Sequence, residues 1–111
     1  MDLALKAIAE PRRREILRLV LTQERTAGDI AMRFSDVSGP AISQHLRVLI
    51  EAGLLTVRRD GSRRWYRARP QTLHEVRGYL EELWRSSLAA LAEEAELEER
   101  RKGHGDHPQR N

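Results

Sequence analysis

The sequence predicts a mainly α-helical fold that carries one small β-hairpin. Apolar residues recur at spacings of three and four in several segments, as they do along the buried side of a helix. Two strand-like segments flank Asp60, Gly61 and Ser62, a typical hairpin turn. Because 40% of the residues are hydrophobic but only 5% are aromatic, the core must consist mainly of Leu, Ile, Val and Ala.

The length of 111 residues is that of one domain. We expect a single domain over residues 1–102 and a disordered polar tail over residues 103–111. The chain contains no cysteine, which excludes disulfides and thiolate metal sites. It shows no signal peptide, and no apolar stretch approaches the ~20 residues that span a bilayer. We therefore expect a soluble cytoplasmic protein without a membrane partner.

Two short helices are predicted at the N-terminus. Apolar residues between positions 3 and 8 indicate one or two helical turns. Pro11 then opens a second helix, because proline at the first helical position loses no intrahelical hydrogen bond. The apolar side of this helix predicts that it ends near Thr22.

Polar side chains mark the starts of two further helices. Thr26 and Asp29 resemble a capping box with Asp in place of Glu, which predicts a third helix over about residues 26–34. Ser38 is a good N-cap for a fourth helix over about residues 39–52.

The second half of the chain predicts a hairpin followed by a long helix. Gly53 ends the fourth helix, and the strands of the hairpin occupy about residues 54–59 and 63–69. Apolar residues from Leu73 to Leu91 then keep helical spacing, so a long helix should run from Thr72 to about residue 101. Four helices, two strands and a final helix are the elements of a winged helix-turn-helix, in which the hairpin is the wing.

The fourth helix carries a polar face suited to the major groove of DNA. With Ile42 at the centre of its buried side, Ser43, Gln44 and Arg47 point outward. Gln can pair bidentately with adenine, and Arg can bind guanine or a phosphate. His45 lies near the edge of the buried side, so packing or one hydrogen bond to backbone or phosphate is favoured there over base readout. The DNA-binding candidates of this helix are Ser38, Pro40, Ser43, Gln44, His45 and Arg47. The alternative is an ordinary exposed polar face.

The wing is strongly basic. Residues 58–69 contain six arginines against the single acid Asp60. Alternation along a strand places Arg64 and Tyr66 on one face and Arg63 on the other, so not all the arginines can contact DNA together. We expect Tyr66 to pack inward. Arginines near the tip are expected to meet phosphates or the minor groove: Arg59, Arg63 and Arg64.

The net charge of +3 is unevenly distributed. Residues 1–80 carry 15 Lys and Arg against 9 Asp and Glu, whereas residues 81–111 carry 5 against 8. The positive charge therefore accompanies the predicted helix-turn-helix and wing, as double-stranded DNA would require.

Three segments resemble the ArsR family of bacterial winged-helix repressors. Residues 39–54 are similar to the recognition helix of that family, residues 10–17 to its opening helix and residues 58–66 to its wing. The resemblance extends over about residues 3–85. It implies a homodimer that represses transcription from an inverted-repeat operator, with the first and last helices at the dimer interface. The interface candidates are Leu3, Leu5, Ile8, Leu80, Leu83, Trp84, Leu88 and Leu91.

The sequence departs from the family pattern at its sensing site. Founding members bind arsenic, cadmium or lead through a cysteine pair in the third helix, and this chain has no cysteine. We therefore expect no soft-metal sensing and no cofactor, and the effector remains unknown. Two smaller departures are Glu10 in place of an aspartate cap and a turn at Ser35-Asp36 that is one residue longer than in many relatives.

Other functional classes have weaker support. Ser43 and His45 point to different sides of one helix, and no other set of residues predicts a catalytic site, so we expect no enzyme. A winged-helix interaction adaptor would use the acidic segment over residues 93–99. A metal-dependent regulator would use histidine and carboxylate ligands, for which the candidates are His74, Glu75, His104, Asp106 and His107.

Overall fold

The computed structural model describes the backbone of residues 1–105 and the side chains of residues 1–102. Residues 1–76 form one compact unit, and the chain from Arg77 belongs to a second. The elements are α1 (Asp2–Ile8), α2 (Pro11–Leu19), β1 (Arg25–Thr26), α3 (Ala27–Met32), α4 (Gly39–Glu51), β2 (Leu55–Asp60), β3 (Arg63–Ala68) and α5 (Pro70–Gly105).

The predicted fold class and element order are confirmed, with one strand added. The short strand β1 pairs antiparallel with β3, Arg25 opposite Tyr66 and Thr26 opposite Trp65, and the sheet order is β1-β3-β2. A strand of two residues has no detectable periodicity, so only the tertiary pairing with β3 defines it.

Several predicted boundaries were wrong. The second helix ends at Leu19 instead of Thr22, and the third covers only Ala27–Met32. The last helix begins at Pro70 and continues to Gly105, so it includes residues 103–105, which we expected in the polar tail. Residues 106–111 lie outside the described part of the chain.

The core of the first unit lies between the helices and the base of the hairpin. The largest fully buried side chains come from α2, α3, α4 and the residues that follow α2 and precede β2, and they are Ile16, Val20, Ile30, Ile42, Leu49 and Leu54. Tyr66 is also buried, as predicted for the inward face of the wing. The aliphatic composition therefore builds one core, and α4 contributes three residues to it.

Side-chain caps begin three of the helices. The Oγ of Ser38 accepts a hydrogen bond from the backbone N of Ala41 at 3.2 Å and caps α4. The Oγ1 of Thr26 accepts from the N of Asp29 at 3.1 Å and caps α3. The reciprocal half of the predicted capping box is absent, because the Asp29 carboxylate binds the Arg25 guanidinium at 2.9 Å instead. Glu10 caps α2 despite replacing aspartate, and its Oε1 lies 2.7 Å from the Arg12 N.

Gly53 joins α4 to the wing in a conformation that requires glycine. Its φ is +76°, in the left-handed region where a side chain is strained. The backbone N of Leu54 then donates to the Leu49 carbonyl at 2.9 Å. The Thr72 hydroxyl donates to the Gly53 carbonyl at 2.6 Å, which ties the first turn of α5 to the end of α4.

The hairpin closes through a two-residue turn. Asp60 pairs with Arg63, and the intervening Gly61 has a φ of +66°. At the other end of β3, the backbone N of Ala68 donates to the Val20 carbonyl at 2.9 Å. The base of the wing is thus joined to the end of α2 while its tip extends beyond the core.

An ion pair outside the core also holds the wing. The Arg58 guanidinium donates two hydrogen bonds to the Glu24 carboxylate, at 2.9 and 3.0 Å, and lies 5.8 Å from the centroid of the Trp65 ring. These hydrogen bonds lower the pKa of Glu24 below its ordinary value. A lowered pKa means that the charged carboxylate is favoured in the folded state, so the pair stabilises the fold at neutral pH.

We expect the substitution Glu24→Gln to lower the melting temperature at pH 7. A group with a depressed pKa stabilises the fold above its unfolded pKa, and this contribution is lost as the pH falls through the folded value. The difference between wild type and variant should therefore shrink below about pH 4. Thermal melts at pH 7 and at pH 3 test this, with Glu93→Gln as a control on an exposed helix face. An equal difference at pH 7 and pH 3 would exclude the charge as its cause.

Candidate nucleic-acid interface

Helix α4 presents the polar face that the sequence predicted. Its buried side consists of Ile42, Leu46 and Leu49. The exposed residues include four of the DNA-binding candidates, and these are Pro40, Ser43, Gln44 and Arg47. Because the apolar side is fixed in the core, the orientation of this polar face relative to the protein is fixed as well.

Gln44 and Arg47 form a pair on the exposed face. The Nη1 of Arg47 donates to the Oε1 of Gln44 at 2.8 Å, one helical turn away. Bidentate pairing of Gln44 with adenine would use the same Oε1 as an acceptor from the base. A carbonyl oxygen has two lone pairs, so Oε1 can accept from Arg47 and from a base together, and Arg47 orients the Gln44 amide.

Ser43 lies on the flank of α4 that faces the wing. It lines a groove together with Ser62, Arg63 and Arg64 of the hairpin. A neighbouring groove is lined by Ser43, Arg47 and Arg64. The structure thus brings helix α4 and the tip of the hairpin to one surface.

The register of the hairpin places Arg59 beside Arg64. These residues are directly opposite each other on β2 and β3, so their side chains leave the sheet on the same face. This is also the face that carries the buried Tyr66. Arg63 is opposite Asp60 and belongs to the other face, as alternation predicted.

Some arginines form ion pairs within the chain, whereas the wing candidates do not in the part that the structure describes. Arg58 binds Glu24, and Arg25 binds Asp29. Arg12 pairs with Glu15 and with Asp36. Its guanidinium also lies 5.7 Å from the centroid of the Phe34 ring, so it holds the turn between α3 and α4. In the described part of the chain, no ion pair or side-chain hydrogen bond involves the three wing candidates, Arg59, Arg63 and Arg64.

The other two candidates, Ser38 and His45, are not part of the exposed polar face of α4. The Ser38 hydroxyl is used as the N-cap of α4. His45 is half-buried, and its Nδ1 lies 3.3 Å from the Nη1 of Arg13 on α2. Sequence reasoning placed His45 near the edge of the buried side but did not identify Arg13, because the pairing joins residues that are 32 positions apart.

The candidate interface residues of α5 are exposed on the second unit. Leu80, Leu83, Trp84, Leu88 and Leu91 are all exposed, and Trp84 has 64% of its surface accessible. Tyr79 and Leu97 are also exposed but were not among the candidates.

The candidates on α1 differ from one another. Leu3 is 62% exposed, whereas Leu5 and Ile8 are partly buried against the core of the first unit. Leu5 and Ile8 therefore already contribute to packing within one chain.

The described residues provide no evident metal centre. Among the residues searched, no group of three His, Cys, Asp or Glu side chains lies close enough to hold an ion. The side chain of His104, and all of Asp106 and His107, lie outside the described part. Of the described helices, none is long and apolar enough to span a membrane.

Known proteins share both the sequence and the fold. Residues 10–57 match the family model described as bacterial regulatory protein, arsR family. The transcriptional repressor SdpR of Bacillus subtilis is 42% identical over 66 residues, which are 60% of this chain and 72% of that protein. A Mycobacterium tuberculosis HTH-type transcriptional regulator is 37% identical over 92 residues, 83% of this chain and 85% of the relative.

Solved structures agree with this assignment. A protein described as a possible transcriptional regulator for arsenical resistance has a TM-score of 0.69 at 41% identity, over 85% of this chain and 96% of that one. The resemblance predicted from residues 10–17, 39–54 and 58–66 is therefore confirmed. The chain belongs to the arsR family of bacterial regulatory proteins and is a DNA-binding transcriptional regulator, not an enzyme.

Proposed function

We propose that this regulator is a homodimeric repressor that binds an inverted-repeat operator. In each protomer, α4 enters the major groove and the wing binds the adjacent backbone. The observation that carries this proposal is the surface formed by Ser43, Arg47 and Arg64, with Arg59 beside Arg64. Relatives named as repressors, among them SdpR, support repression as the outcome of binding.

The pair of Arg59 and Arg64 favours an anionic ligand. Like charges directly opposite each other on two strands destabilise the sheet. In the described part of the chain, neither arginine has an acidic partner to offset this repulsion. A DNA phosphate supplies the missing negative charge, and arginine binds phosphate in a bidentate geometry.

The polar face of α4 is proposed to contact the base edges. Ser43, Gln44 and Arg47 are exposed and lie within the first three turns of the helix. The N-terminal part of a recognition helix is the part that reaches base edges. Because the partner is chromosomal DNA, we place the protein in the bacterial cytoplasm.

The exposed leucines and Trp84 on α5 support a homodimer. Five large apolar side chains between residues 80 and 91 remain exposed in one chain. A contiguous exposed apolar surface on a helix marks an interaction site, and a second copy presents an identical apolar helix. Leu3 on α1 is the other strongly exposed candidate for this interface.

Two substitution classes distinguish base readout from backbone binding. Gln44→Ala or Arg47→Ala should reduce the preference for the operator over other sequences by about 1–3 kcal/mol. Arg64→Ala should weaken binding to all sequences and reduce the magnitude of the salt slope by about 2, one phosphate contact in each protomer, from a dimer value of about −5 to −9.

The measurement is fluorescence anisotropy with operator and mixed-sequence duplexes at several salt concentrations. Arg101→Gln is the control, because Arg101 pairs with Glu98 on α5, away from the hairpin, and its loss should leave the salt slope unchanged. An equal loss on both duplexes for Gln44→Ala would assign that residue to the backbone instead.

The substitution Trp84→Glu should convert the dimer into a monomer. It places a charge at the centre of the exposed apolar stripe. Burial of that unpaired charge against a second copy is unfavourable. Leu97→Glu is the control, because about 100° per residue places Leu97 roughly 140° around the helix from Trp84. Size-exclusion chromatography with light scattering measures the mass. A dimeric Trp84→Glu variant would exclude this interface.

A metal-dependent regulator remains the second candidate because of the histidines near the C-terminus. We expect operator affinity to be the same with and without a strong chelator. A loss of affinity on chelation that zinc restores would support metal dependence, and substitution of His74 or of His104 and His107 would then locate the ligands.

A further inference from the structure

We propose that Arg13 is a positioning residue for DNA binding, which holds the imidazole of His45 so that its Nε2–H donates to a DNA phosphate. This inference rests on the proposed docking of α4 in the major groove. It assigns His45 to the DNA backbone instead of the bases, and it assigns Arg13 a role without direct contact to DNA.

The Arg13 side chain is fixed by the end of α1. Its Nε donates to the Ala7 carbonyl at 2.7 Å, and its Nη2 donates to the Lys6 carbonyl at 3.3 Å. The last carbonyls of a helix carry a partial negative charge, so a guanidinium there is stabilised. Since the guanidinium is planar and rigid, two anchored nitrogens also determine where the third one points.

The third nitrogen of Arg13 determines the tautomer of His45. Its Nη1 lies 3.3 Å from the Nδ1 of His45, and a guanidinium has only donors. The Nδ1 of His45 must therefore accept, which places the proton of the neutral imidazole on Nε2.

The Nε2 atom of His45 is available to a ligand. No protein partner of Nε2 exists in the described part of the chain, and Nε2 is not among the buried unsatisfied atoms there. Since His45 is only half-buried, this nitrogen reaches solvent. It is a preorganised donor on the recognition helix.

His45 lies on the flank of α4 opposite the wing. At about 100° per residue, it is roughly 160° around the helix from Ser43, which lines the groove beside Arg64. A helix in the major groove has base edges in front of it and a phosphate strand on either side. The wing and the Nε2–H of His45 therefore contact the phosphates of opposite DNA strands.

A double-mutant cycle tests the coupling between these residues. We would measure the affinity of Arg13→Gln, His45→Ala and the double variant for a mixed-sequence duplex of about 30 base pairs, close to three turns. Loss of one hydrogen bond to a charged group in each protomer should weaken binding about tenfold per protomer, and so about a hundredfold for the dimer, in each single variant. The double variant should bind no more weakly than His45→Ala, and the salt slope should remain unchanged throughout, because a neutral donor releases no counterion.

Arg14 supplies a matched control. Its Nη1 donates to the Ile8 carbonyl at 2.8 Å, so Arg14→Gln removes a similar cap from α1 without involving His45. We expect Arg14→Gln to retain wild-type affinity. If Arg13 only stabilised α1, the losses from Arg13→Gln and His45→Ala would be additive. If Arg13 bound a phosphate directly, its substitution would reduce the magnitude of the dimer's salt slope by about 2. Either result overturns the proposal.

A second variant covers the case in which His45→Ala fails to fold. His45→Gln retains an amide donor near the position of Nε2 but has no acceptor at the position of Nδ1, so Arg13→Gln should have no further effect in that background. A further loss would overturn the proposal.

Arg64→Ala is measured in parallel. Unchanged binding by Arg64→Ala would contradict the proposed docking itself, whereas a loss there without a loss in His45→Ala contradicts only the role of His45.

Discussion

Burial of one side of α4 determines how the polar side of this helix is oriented relative to the protein. Ile42, Leu46 and Leu49 are almost inaccessible to solvent, and their removal from water stabilises the contact with the other helices. A helix with one side fixed in this way cannot rotate, so its opposite side has a defined direction. The same burial that stabilises the core therefore presents Ser43, Gln44 and Arg47 as one surface.

Ion pairing determines which positive charges are available to DNA. Arg12, Arg25 and Arg58 bind carboxylates, and Arg13 and Arg14 bind the carbonyls at the end of α1. These arginines hold the turn, the sheet and the first helix in place. The wing arginines lie beyond the core on a hairpin that Glu24 and the Val20 carbonyl anchor at its base. One residue type thus serves two purposes, and the position of nearby acceptors separates them.

Features with a local physical signal could be predicted from the sequence. The helical spacing around Ile42 predicted the buried and exposed sides of α4, and strand alternation predicted the inward Tyr66 and the separate faces of Arg63 and Arg64. Pairings between distant residues could not be predicted in this way. Strand β1, the pair of Arg58 and Glu24 and the contact of Arg13 with His45 each depend on tertiary proximity. The end of α5 was misjudged because Gly103 and Gly105 favour a helix stop without enforcing one.

Hydroxyl-radical footprinting of the protein on the promoter region of its own gene tests the proposed binding to an inverted repeat. Binding as a homodimer predicts two protected half-sites in inverted orientation, with centres one duplex turn or a multiple apart, about 10–10.5 base pairs per turn. Each half-site should show protection of the backbone on both strands, from the wing on one and from the opposite flank of α4 on the other. Protection of a single half-site, or uniform protection without sequence preference, would contradict it.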